Sequence, residues 1–252
     1  MSGRYKVIGA LAVFAAIVLA PAGVRASATA NATAATASIE TEAIGALFTL
    51  RPGGALGSHF CTATVIDSSS GDVVVTAAHC LAGRKAGTLA FVPGYHNGAR
   101  PFGVWKVTRI IVNSTWARAA DPDHDFAFLV VHRARAQSSL QALTGGERLG
   151  VVDPIGKQAT VVGYPAAASA AIRCSNTLRR RSATQLEFDC AGYTNGTSGS
   201  ALVIKPSADT GLGTVVGVIG GYQQGGNTSS VSYAAAFGVS ALALYRQAAN
   251  AA

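Results

Sequence analysis

Apolar residues along this chain come in short, β-branched runs broken by glycine, proline, asparagine and aspartate, a rhythm that reads as strands and turns. In the first half it predicts strands over 44–50, 58–66 and 73–76, the first two joined by the turn-rich Arg51-Pro52-Gly53-Gly54, and further strands over 88–92, 104–112 and 126–131. A second set follows Gly145-Gly146, over 158–163, 171–178, 185–189, 201–204, 214–220 and 229–234. Two groups of about six strands with a loop-rich middle predict an all-β fold of two packed six-stranded Greek-key β-barrels, about 44–140 and 145–237. Residues 238–247 place Val239, Leu242, Leu244 and Tyr245 among helix formers, which predicts a C-terminal helix packed on a barrel.

The amino-terminal pattern differs. Arg4 and Lys6 precede an apolar stretch from Val7 to Ala20, then Pro21 and the small-residue exit Val24-Arg25-Ala26, so residues 1–26 read as a secretory signal peptide cleaved near Ala26. The apolar stretch is shorter than the ~20 residues of a membrane span, and no stable membrane association is expected after cleavage. Residues 27–43 begin as an Ala/Thr/Ser-rich segment without apolar period, expected to be a short propeptide or a disordered arm, with the folded domain at 44–250.

At 252 residues the chain is long enough for one sizeable core or two small barrels. Its formal charge of +8 falls to +5 without Arg4, Lys6 and Arg25, and no basic stripe interleaves with aromatics, so nucleic acid is not an expected partner. The four cysteines, Cys61, Cys80, Cys174 and Cys190, form no C-x-x-C, which disfavours a shared zinc site; an exported chain would hold them as disulfides.

Three stretches carry the chemistry. In Asn195-Gly196-Thr197-Ser198-Gly199-Ser200 a glycine-bracketed serine runs into a strand; Gly196 can turn its N–H toward the same point as that of Ser198, as an oxyanion demands. Thr76-Ala77-Ala78-His79-Cys80 ends a β-branched run, and Asp125 opens the run Phe126 to Val131. Histidine, aspartate and serine thus each stand at the edge of a buried strand, where a triad can be rigid and still face a cleft. Together the motifs resemble those of the trypsin/chymotrypsin family of secreted serine proteases, in a bacterial, streptogrisin-like branch: T-A-A-H-C matches the histidine motif, D-F-A-F-L resembles the aspartate motif, and G-T-S-G-S resembles G-D-S-G-G.

The resemblance implies a secreted, extracellular, monomeric serine endopeptidase without metal or cofactor that cleaves protein or peptide substrates through an acyl-enzyme. It assigns His79 as general acid and base, Asp125 as its orienting partner, Ser198 as nucleophile, and the N–H groups of Gly196 and Ser198 as the oxyanion hole. It also implies a Cys61–Cys80 bridge behind the histidine, with Cys174 and Cys190 as the second pair. Gly192, Tyr193, Thr194 and Asn195 are expected on one wall of the specificity pocket, with Gly220, Gly221 and Tyr222 on the other, pairing with the substrate backbone by β-addition. No acid stands at Gly192 and no histidine lies in 215–222, which leaves a neutral, medium-sized or aromatic side chain as the expected preference. Asp121 and Asp123 compete with Asp125, and the three could instead form a calcium loop, although Pro122 interrupts the ligand alternation.

Two departures bear on mechanism. Thr197 stands where the family usually has the aspartate that pairs with a newly cut amino terminus, so activity should not depend on one α-amino group, and proteins starting at 27, 38 or 43 should turn over alike. Gly220 stands where a serine commonly supports the aspartate, leaving the surroundings of Asp125 open. An esterase on the same triad and a catalytically impaired binding protein are the alternative readings.

Overall fold

The structure, a computed structural model, describes residues 1, 28–36 and 39–252. The expected signal peptide therefore lies, apart from Met1, outside the described residues. Among the described residues no helix is long and apolar enough to cross a membrane. Two short strands, β1 (Ala30–Asn31) and β2 (Thr33–Ala34), precede β3 (Ile44–Leu50), β4 (Leu56–Ile66), β5 (Val73–Thr76), β6 (Leu89–Pro93), β7 (Trp105–Val112) and β8 (Ala127–His132). Then come β9 (Arg148–Leu149), β10 (Gln158–Gly163), β11 (Ile172–Thr177), β12 (Arg179–Arg180), β13 (Gln185–Phe188), β14 (Cys190–Ala191), β15 (Ala201–Ile204), β16 (Thr214–Ile219), β17 (Ser232–Ala236) and a helix over Val239–Ala251.

Strands β3 to β8 close into a barrel in the order β3-β4-β5-β8-β7-β6. The second set repeats this winding as β11-β10-β15-β16-β17-β13, but β11 and β13 do not pair, so the expected second six-stranded barrel is a curled open sheet. Its seam is filled in another way. Strand β1 pairs parallel with β14, β2 pairs antiparallel with β11, and the Cys174–Cys190 disulfide ties β11 to β14. The segment read from sequence as a propeptide or disordered arm is thus two strands of the fold at 30–34. Ala30 and Ala32 pack on the core of the second sheet while Asn31 and Thr33 are exposed, a period of two written in alanines too small to register as an apolar strand.

Why the runs between the barrels are continuously apolar follows from the same period. Val74 and Leu129 point into the first barrel, whereas Val73, Val75, Phe126 and Phe128 meet Ala201, Val203, Val215 and Val218 of the second sheet. Strands buried on both faces need apolar residues at every position. The C-terminal helix buries Ala241, Leu244 and Ala248 on this inter-barrel core and runs past the expected end at 247, because its last residues are mostly alanine, the best helix former.

The side chains of the basic run Arg179-Arg180-Arg181 are engaged. Arg179 forks between Glu187 and Asp189, Arg180 pairs with Asp153 at 3.1 Å, and the Arg181 guanidinium lies 4.4 Å from the Tyr222 ring centroid. Burial pushes the Asp189 carboxyl above its ordinary value, with the Arg179 charge opposing.

Candidate active site

Strand β5 ends at Thr76, and two alanines without exposed surface carry the chain into the single turn His79–Leu81. Larger side chains would not fit there, since that corner packs against the first barrel. The Cys61–Cys80 disulfide fastens the turn to β4. Asp125, 2% exposed, accepts the His79 backbone N–H on Oδ1 at 2.8 Å and faces His79 Nδ1 with Oδ2 at 2.7 Å. A carboxylate accepts only, so the Nδ1 position carries the proton and Nε2 is left as an acceptor. Gly221 N–H also donates to Oδ2, at 2.8 Å. That bond answers the question left by Gly220: a backbone donor takes the place of the serine hydroxyl, and a Cβ at Gly220 would come within 3.0 Å of Oδ2.

The competing carboxylates are occupied elsewhere. Asp121 caps its own turn, accepting from Asp123 N–H and standing 3.3 Å from His124 Nδ1, and Asp123 accepts from Gln185 Nε2 at 2.9 Å. Among the described residues only Cys61, His79 and Cys80 bring three ligand atoms together, and both sulfurs are spent in the disulfide.

The serine loop approaches from the second sheet. Gly199 N–H donates to Ile219 O at 2.7 Å, Ser198 O accepts from Thr62 N–H at 2.8 Å, and a Cβ on Gly199 would strike Thr62 O and Thr76 Oγ1 at 2.2 Å. Ser198 and Gly199 are therefore pressed against the middle of β4 and the end of β5, which leads to the His79 turn. Gly196 has φ of +98°, and a Cβ there would lie 2.3 Å from Ala166 N, so only glycine fits. Asn195 O accepts from Ala166 N–H at 2.7 Å. A trans peptide holds its C=O and N–H antiparallel, so this bond turns the Gly196 N–H away from Ala166. Thr197, 3% exposed, donates through Oγ1 to Thr194 O at 2.8 Å, a hydroxyl tether where the family pattern has an ion pair. Ser198 Oγ makes no hydrogen bond among the described residues; such bonds often tighten only with substrate.

Beside Ser198 opens a cavity of about 1060 Å³. Tyr193, Thr194 and Asn195 line it together with Ile219, the 224–229 loop and Ser232, and no lining side chain is charged. Gly192, Gly196, Gly220, Gly221 and Tyr222 lie outside its lining. Tyr222 also opens the turn Tyr222–Gly225 and gives its N–H to Gln185 Oε1 at 3.1 Å. Sequence reading missed Gln185, Ala166 and Thr62, none of which sits in a recognisable motif.

The sequence matches the family model described as "Trypsin-like peptidase domain" over residues 61–218. Among solved structures, protease Anisep from Arthrobacter nicotinovorans is 26% identical with a TM-score of 0.72, the alignment covering 86% of this chain and 98% of that one. The thermostable serine protease AL20 from an extremophilic microorganism is 24% identical with a TM-score of 0.70, covering 85% and 100%. A Glu endopeptidase is 17% identical with a TM-score of 0.66, covering 88% and 97%. No curated protein matches the sequence. At these identities the latter two structures speak to the fold alone.

Proposed function

Because the chain belongs to the trypsin-like peptidase family and is a serine endopeptidase, we propose that it cleaves peptide bonds through Ser198, His79 and Asp125. The carrying observation is the fixed orientation of His79, whose backbone and ring both bind one buried carboxylate. Ser198 Oγ attacks the scissile carbonyl carbon as His79 Nε2 takes its proton, and the resulting oxyanion accepts from Gly196 and Ser198 N–H. His79 then passes that proton to the leaving amine. Water, deprotonated by the same nitrogen, attacks the acyl-enzyme and returns Ser198.

An uncharged cavity supports a neutral side chain at the residue before the cut, and offers neither a carboxylate for Lys or Arg nor a cation for Glu. Export is proposed from the amino-terminal sequence pattern and from the two disulfides. A fluorophosphonate probe should label the folded protein once, at Ser198, and Ser198→Ala should abolish the labelling. Well-folded protein that resists the probe, or labelling that survives the substitution, would exclude this nucleophile. A peptide-library digest should return neutral residues before the cut; enrichment of Lys, Arg or Glu there would reject the pocket assignment.

A further inference from the structure

We propose that Thr62 is a positioning residue that sets the oxyanion loop from the opposite barrel. Its hydroxyl donates to Gly196 O at 3.0 Å and accepts from Tyr164 N–H at 2.9 Å. Its N–H holds Ser198 O at 2.8 Å, and its own carbonyl is fixed by Thr76 Oγ1 at 2.7 Å. One side chain without exposed surface thus grips the loop between the two proposed oxyanion donors and ties it to Tyr164-Pro165-Ala166, the segment whose Ala166 N–H orients the Gly196 peptide. Gly196 is the residue whose backbone is least restrained by its own sterics, so its carbonyl needs an outside partner to hold one orientation.

The neighbouring strand position makes the contrast. On β4, Cys61, Ala63 and Val65 point into the first barrel, while Thr62 and Thr64 alternate to the other face. Both threonines have no exposed surface, yet the Thr64 hydroxyl has no hydrogen-bond partner. Thr64 is space-filling, whereas every polar atom of Thr62 is committed to the loop or to its support. Thr197 carries no charge to form an ion pair beneath the nucleophile; its hydroxyl ties the loop to Thr194 O, and Thr62 adds a second tether from across the cleft.

The inference rests on Gly196 and Ser198 N–H acting as the oxyanion donors, and the test separates the two. Thr62→Val keeps the shape and removes the hydroxyl. It is expected to lower kcat about 10- to 100-fold, with KM within about two-fold, and to weaken a peptidyl boronate, which mimics the tetrahedral state, by a similar factor. Thr62→Ser should restore most of both, and Thr64→Val, the same change on the same face, should leave kcat unaltered. Wild-type protein that fails to react with fluorophosphonate at Ser198 would sink the underlying reading. Labelled wild type with an undiminished kcat in Thr62→Val, or an equal loss in Thr62→Ser, would sink only the inference. Should Thr62→Val and the smaller Thr62→Ala both fail to fold while Thr62→Ser folds, the hydroxyl is a folding determinant and the positioning role is overturned.

Discussion

Asp125→Asn is expected to lower kcat by about four orders of magnitude while the protein stays folded, because the change reverses one hydrogen bond at the ring proposed to move the proton. Three donors face the Asp125 carboxylate: the His79 backbone N–H, the His79 Nδ1 position and the Gly221 N–H. An asparagine has one accepting oxygen. If that oxygen stays with the backbone N–H of His79, the amide nitrogen meets Nδ1 and demands an acceptor there, so the ring proton shifts to Nε2 and the base toward Ser198 is lost. If the amide flips, the His79 backbone N–H meets another donor and the turn itself loosens. Nitrogen NMR of the imidazole distinguishes the two, with the proton on Nδ1 in wild type and on Nε2 in the variant. An Asp125→Asn protein with kcat within ten-fold of wild type would mean that another group orients His79. The nearest competitors, Asp121 and Asp123, are held in their own turn and against Gln185.

How this site was legible in the sequence depends on where each bond comes from. The places of His79, Asp125 and Ser198 were readable because each stands beside the end of a buried strand, and the pattern that places the strand places the residue. Gly221 was not, since its contribution is a backbone N–H that any residue but proline would carry. The absent serine at Gly220 looked like a missing support, yet the glycine leaves room for the chain to bring that N–H to the carboxylate. Thr62 and Gln185 were hidden for a different reason. Thr62 sits mid-strand and Gln185 opens β13, both among residues that read as ordinary sheet, and contacts with the other half of the fold, at Gly196 for Thr62 and at Pro122 and Asp123 for Gln185, give their side chains something to hold.

The amino-terminal segment is where the structure changes an expectation with a measurable outcome. From sequence, proteins beginning at 27, 38 and 43 should be equivalent, since no ion pair waits for a new terminus. In the fold, residues 28–35 fill the seam of the second sheet: Ala30 N–H donates to Asp189 O at 3.1 Å, Ala32 N–H to Ala191 O at 3.0 Å, Ala35 N–H to Ala171 O at 3.0 Å, and Ala28 O accepts from Asn176 Nδ2 at 3.1 Å. Losing about four such bonds at roughly 1 kcal/mol each, with the Ala30 and Ala32 contacts, is a loss on the order of 4 kcal/mol and a fall in Tm of about 10 °C. The effect should reach the site, because β14 leads directly into Gly192 and Tyr193, and a Cβ on Gly192 would lie 3.3 Å from Ala32 Cβ. Proteins starting at 38 or 43 are therefore expected to melt earlier and to show a KM raised several-fold with kcat less affected, while the protein starting at 27 is unaltered by N-acetylation. A synthetic peptide of residues 27–37 added to the 38-start protein should recover part of the lost Tm by re-adding the two strands. Equal melting and equal KM for the 27 and 38 starts would show that the disulfide alone holds the seam and that the segment is a spacer after all.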